Sequence, residues 1–144
     1  MAVIAIVLLS QSLLFADDYS DAMKRARTEG NPMVLYFYSK YCYYCDEMEK
    51  RVLSDREIGA LLKSGVVTLR IDVDKRDDLA ALYNVWSYPT TWLLEPAGKR
   101  IARVPGYVSK GEFKKILAYL REGHYKNMGL GTFCGSESHN EAIS

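Results

Sequence analysis

Cys42 and Cys45 stand three apart with two tyrosines between them, in the stretch YSKYCYYCDEMEK over residues 38–50. Two thiols at that spacing can form a structural disulfide, half of a metal site, or a working redox pair. A bridge over so small a loop removes little unfolded-state entropy, which makes it a poor staple. Zinc sites pair one C-x-x-C with a second close pair of Cys or His. The remaining candidates, Cys134, His124 and His139, form no such pair. The redox reading has physical support in the flanking sequence. An apolar run ends just before the cysteines and a helical pattern starts at them. Cys42 then falls at a helix N-terminus, facing unpaired N–H groups and the positive end of the dipole. That setting stabilises a thiolate and lowers the thiol pKa from its free value of about 8.5. Cys45, one turn further on, lies deeper and is placed to resolve a mixed disulfide.

The elements that must hold this pair can be read from periodicity and punctuation. Residues 17–29 carry Ala22, Met23 and Ala26 on one face and end at Gly30-Asn31-Pro32, a helix with its stop signal. MVLYFY, residues 33–38, is an unbroken apolar run between breakers, a strand covered on both faces. A helix follows from Cys42 to Leu53. The spacing of Ser54 and Glu57 predicts a new helix cap at Ser54, with Ile58, Leu61 and Leu62 inward. Strands are predicted at 66–73, 90–94 and 100–104, with a short helix over 77–83 that turns Leu79 and Leu82 inward. Ser109 to Glu112 repeats the capping-box pattern and opens a helix with Phe113, Ile116, Leu117 and Leu120 on one face. The order α-β-α-β-α-β-β-α implies a right-handed parallel crossover, then a hairpin. An α/β fold results, with a mixed sheet of about four strands and helices on both faces.

The chain has 144 residues, 49% hydrophobic and 26% charged, with net charge +1. That suits one globular domain and offers no electrostatic case for nucleic acid. MAVIAIVLLSQSLLFA, residues 1–16, has no charged side chain. It is short for a bilayer span, which needs about 20 apolar residues. Its length suits a secretory signal cleaved after Ala16; a buried strand or a retained anchor are the alternatives. Residues 17–122 form the expected domain, and residues 123–144 a polar tail whose first part docks through Tyr125, Met128, Leu130 and Phe133 while its end is disordered. Three cysteines make an odd count. Cys134, in the tail, reads as a partly shielded thiol outside catalysis, or more sharply as a regulatory or resolving partner of Cys42.

Over residues 19–121 the sequence resembles the thioredoxin fold through MVLYFYSKYCYYC, LRIDVD, VWSYPTTWLLEPAGK and VPGY. CYYCDEMEKRVLSDREI followed by YNVWSYPT is most similar to exported thioredoxin-like thiol-disulfide reductases and the C-terminal domain of DsbD. The resemblance implies that Pro89 is a cis-proline lying against the cysteines and that the Tyr88 backbone pairs with substrate. It also implies an acid where Tyr36 stands, and a tyrosine is a poor base at neutral pH. Glu49, four residues after Cys45, is the candidate to handle the proton. Its alternative is a solvated carboxylate paired with Lys50 or Arg51. Tyr41, Tyr43, Tyr44, Trp86 and Tyr88 are candidates for a rim that grips an extended client, whereas Tyr36 and Tyr38 read as core. Tyr-Tyr between the cysteines, with no His after them, disfavours a strongly oxidising enzyme.

These features predict a monomeric exported enzyme that reduces protein disulfides. Cys42 attacks, Cys45 releases the product, and a membrane electron carrier recharges the pair, since no nicotinamide or flavin fingerprint occurs. No cofactor or metal is called for. An isomerase or oxidase is the rival within the same chemistry. A copper or zinc carrier and a non-catalytic binding module are the rivals outside it.

Overall fold

The computed structural model describes residues 17–141, with side chains described through residue 135. The apolar segment 1–16, read above as a secretory signal, lies outside them. The first helix, α1 (Asp18–Glu29), is capped by Asp17, whose carboxylate accepts from Tyr19 N–H, and ends at Gly30 in the left-handed conformation (φ 68°). Glycine takes that conformation without a Cβ penalty. The chain then enters β1 (Met33–Tyr38). After the cysteine loop come α2 (Tyr43–Met48), one π turn (Glu49–Leu53) and α3 (Arg56–Leu62). Next are β2 (Val67–Asp72), α4 (Asp77–Leu82), β3 (Thr90–Leu94), β4 (Arg100–Pro105) and α5 (Lys110–Arg121). A 3₁₀ turn (His124–Lys126) leads into α6 (Leu130–Glu141).

The four strands form one sheet in the order β2-β1-β3-β4. β1 runs parallel to β2 and antiparallel to β3, and β3 antiparallel to β4. Alternation along β1 divides the core. Val34 and Tyr36 face a cluster with Met48, Val52, Ile58, Leu93, Phe113, Leu117 and Phe133. Met33, Leu35 and Phe37 face the other cluster, with Ala22, Ala26, Ile71, Leu79, Tyr83 and Leu94. The central strand is therefore buried on both sides, which is why its sequence shows no polar alternation. The mixed four-stranded sheet covered by helices is the α/β thioredoxin fold expected from the sequence.

Three local expectations are corrected. The helix that begins at the cysteines does not run uniformly to Leu53, because Ser54 N–H donates to Glu49 O across a π turn. The cap of α3 is Asp55, whose carboxylate accepts from Glu57 and Ile58 N–H, not Ser54. Leu82 is 53% exposed rather than inward, since the short α4 turns only Leu79 and Ala80 to the core. In the tail, α6 covers Leu130–Glu141, and Phe133 packs on Tyr119 with ring centroids 5.4 Å apart.

Candidate functional site

The loop between β1 and α2 is fixed from below. Asp74, just past β2, accepts from Ser39 Oγ at 2.9 Å and from Lys40 N–H at 3.1 Å. Its own N–H donates to Asp72 Oδ1 at 3.1 Å, so two carboxylates of the β2 loop brace the segment leading to the cysteines. Cys42 then takes extended dihedrals (φ −106°, ψ 112°) and caps α2. Its Sγ accepts the Cys45 N–H at 3.1 Å, and its carbonyl accepts from Asp46 N–H. Cys42 and Cys45 are joined in a disulfide with their Cα atoms 5.2 Å apart. Cys42 is half-buried, while Cys45, facing inward beside Met48, is buried. The two sulfurs are therefore unequal, with the first reachable from solvent and the second shielded.

A second loop completes the site. The Tyr88–Pro89 peptide bond is cis, and Tyr88 O lies 3.5 Å from Cys42 Sγ. Pro89 O accepts from Gly106 N–H at 2.7 Å, and Thr90 Oγ donates to Ser87 O at 2.7 Å. Around these backbone groups stand exposed aromatics. Tyr41 is 93% exposed and Trp86 79%, and Tyr43 and Tyr44 are exposed with their rings edge to face at 5.4 Å. Tyr36 is buried and Tyr38 partly so, the division read from the sequence.

A pocket of about 330 Å³ reaches the disulfide from the β2 side, lined by Tyr36, Tyr38, Lys40, Cys42, Cys45, Asp46, Glu49 and Arg70 among others. Glu49 faces it as an ion pair with Arg70 of β2, not with either sequence neighbour. Lys50 and Arg51 instead pair with Asp46 and Glu47, each four residues back on the helix. The Tyr36 hydroxyl is held above its ordinary pKa, first by burial and then by the Glu49 charge, so it stays protonated. A larger groove of about 980 Å³ lies along α3 and β2, but neither cysteine lines it. Among the described residues no three His, Cys, Asp or Glu side chains converge as metal ligands.

Three contributors escaped the sequence reading. Arg70 sits at an exposed position of β2 and offered no signal until the sheet register placed it opposite Tyr36. Asp74 lies within LRIDVD, where a second acidic residue, just past the strand, was the available hint. Tyr107, partly exposed beside Gly106, belongs to the same end of the molecule because Gly106 is tied to Pro89.

The profile of the Thioredoxin-like domain family matches residues 19–121. The chain belongs to that family. The thiol:disulfide interchange protein DsbD of Ralstonia nicotianae is 32% identical over 116 residues, covering 77% of this chain and 18% of DsbD. The disulfide bond reductase DsbH of Chlamydia pneumoniae is 27% identical over 115 residues, covering 65% of this chain and 68% of DsbH. The solution structure of a thioredoxin from Thermus thermophilus superposes with a TM-score of 0.62 at 35% identity, covering 69% of this chain and 80% of that one. The chain thus spans about a fifth of the curated DsbD it matches. Within the matched region it carries a Cys-x-x-Cys pair joined as a disulfide. No helix among the described residues is long and apolar enough to cross a membrane.

Proposed function

We propose that this thioredoxin-like chain is an exported reductase of protein disulfides, with Cys42 as nucleophile and Cys45 as resolving thiol. The observation that carries the reading is the asymmetry of the pair: Cys42 Sγ accepts a helix-start N–H and lies against Tyr88 O, while Cys45 is buried behind it. In the reduced protein the Cys42 thiolate attacks one sulfur of a client disulfide. A Cys42–client bond forms and the other client sulfur leaves as a thiolate. Cys45, deprotonated, then attacks Cys42 Sγ; the Cys42–Cys45 bond forms and the second client sulfur departs as a thiolate. Both electrons pass to the client, whose two thiolates take up protons.

Geometry suits the roles proposed around the pair. Tyr88 presents its backbone beside Cys42, just before the cis bond to Pro89, so an extended client lies across the loop. Tyr41, Tyr43, Tyr44 and Trp86 grip its flanks, since aromatic faces supply contact area at low entropy cost. Glu49, on the pocket that Cys45 lines, receives the Cys45 proton through solvent. The protein works as a monomer, and a membrane-embedded dithiol carrier restores the reduced state. Tyr-Tyr between the cysteines leaves no imidazole to hold a long-lived thiolate, which favours reduction over oxidation, and the similarity to DsbH, a disulfide bond reductase, agrees in direction.

Equilibration with glutathione buffers tests the direction of electron flow. A potential near about −270 mV supports a reductase, and one near about −120 mV would make the protein an oxidase. Export is tested by fractionating cells that produce the full chain: the reading expects an extracytoplasmic protein beginning at Asp17, and a cytoplasmic protein retaining Met1 would refute it.

A further inference from the structure

Tyr36 poses a problem that the reaction above does not use. It is 3% exposed, and its hydroxyl has no hydrogen-bond partner. Buried polar groups are nearly always paired, and an orphan costs about 1–3 kcal/mol. Thr91, the facing residue on β3, also buries an unpartnered Oγ1, so the two hydroxyls do not satisfy each other. Tyr36 lines the pocket whose wall includes Cys45. In the oxidised protein the Cys45 sulfur is a disulfide sulfur, a weak acceptor. On reduction it becomes a thiol and then a thiolate, a strong one.

We propose that the Tyr36 hydroxyl is a hydrogen-bond donor held for the Cys45 thiolate, and that its unpaired state belongs to the oxidised protein alone. The inference rests on the redox reading of the pair. A reducing thiolate attacks Cys42 Sγ, the Cys42–Cys45 bond breaks, and the electron pair leaves on Cys45 Sγ. The new charge faces the pocket, where Tyr36 donates to it and keeps its own proton. Burial and the Glu49 carboxylate both hold that proton on the phenol, so Tyr36 acts as a donor and not as a base. The other charged and titratable groups on the pocket are Tyr38 of β1, Arg70 of β2, Lys40 of the loop, and Asp46 and Glu49 of the following helix. Arg70 and Lys40 add to the stabilisation of the thiolate, and Asp46 and Glu49 oppose it. Tyr36 thus stands where a thioredoxin-like chain can place an acid, yet does the opposite work: it stabilises the thiolate where an acid would take the proton.

Tyr36→Phe isolates the hydroxyl, because it keeps the ring in the core. Two readouts apply: the equilibrium constant with glutathione, and the Cys45 Cβ chemical shift against pH in the reduced protein. The expected result is a tenfold shift toward the oxidised pair, which is about 30 mV more reducing. The Cys45 titration should also move about one unit higher. The thermal midpoint should hold or rise, since an orphan buried hydroxyl is removed. An equilibrium constant within twofold of the parent, with an unchanged Cys45 titration, would overturn the inference. The titration needs no client, so it reads the hydroxyl even if the chain reduces no protein disulfide, an outcome that would instead overturn the proposed function.

Discussion

Asp74→Ala should loosen the site without touching a sulfur. Asp74 Oδ2 accepts from Ser39 Oγ at 2.9 Å and from Lys40 N–H at 3.1 Å, and these are the bonds that tie the 39–41 loop to the end of β2. Each is worth about 1 kcal/mol net, and solvent exposure trims the pair to roughly 1 kcal/mol in total. Urea unfolding should therefore show a loss of about 1 kcal/mol with an unchanged m-value. The loop also sets the entry angle of Cys42 into α2. Turnover in an insulin-reduction assay should fall more than stability does, by roughly tenfold in kcat/KM, the equivalent of about 1.4 kcal/mol of misplacement at the transition state. Asp74→Asn, whose amide oxygen can still accept, should recover most of the turnover. The reasoning fails if Asp74→Ala keeps parental turnover, or if Asn is no better than Ala.

Glu49→Gln should slow release of the mixed disulfide while leaving its formation unchanged, as followed by stopped-flow fluorescence of Trp86 and Trp92; equal rates for both steps would leave Glu49 a structural partner of Arg70. Phe113→Ala should cost about 3–5 kcal/mol in urea unfolding, because the ring is fully buried in the larger cluster. Stability should also fall in acid. The hydrogen bond from Lys110 to Asp55 and that from Lys114 to Glu57 hold both carboxyls below their ordinary range. A depressed carboxyl contributes fully above its unfolded pKa, and the contribution is lost as pH falls through the folded one. The loss should therefore appear below about pH 4.5 in thermal melts and shrink in Lys110→Met.

Much of this site could be read along the chain because it is local in sequence. Cys42, Cys45 and their helix start follow from the break between MVLYFY and the charged helix, and the capping box at Ser109 closes as its spacing predicts, with Glu112 accepting from Ser109 N–H at 3.0 Å. What could not be read lies across the sheet. Arg70 reaches Glu49 because β1 and β2 are parallel and in register, and helix spacing alone pointed instead to Lys50 and Arg51. The same holds for Asp74, which acts on a loop 34 residues away in sequence. The π turn escaped because it is the helix's last turn, so no later residues remain to show the phase shift, and Val52 and Leu53 still reach the core. Leu82 was misread because a six-residue helix has room for one inward stripe, and Leu79 and Ala80 fill it.

The most direct test of the account is the fate of clients when the resolving sulfur is removed. In Cys45→Ser the half-buried Cys42 thiolate still attacks a client disulfide, but the serine hydroxyl cannot displace it at neutral pH. The Cys42–client complex should accumulate on non-reducing gels and vanish on addition of excess thiol, while Cys42→Ser gives no such species. Equal trapping by both variants would mean that the roles of the two sulfurs are wrongly assigned, and trapping by neither would contradict the thiol-disulfide chemistry itself.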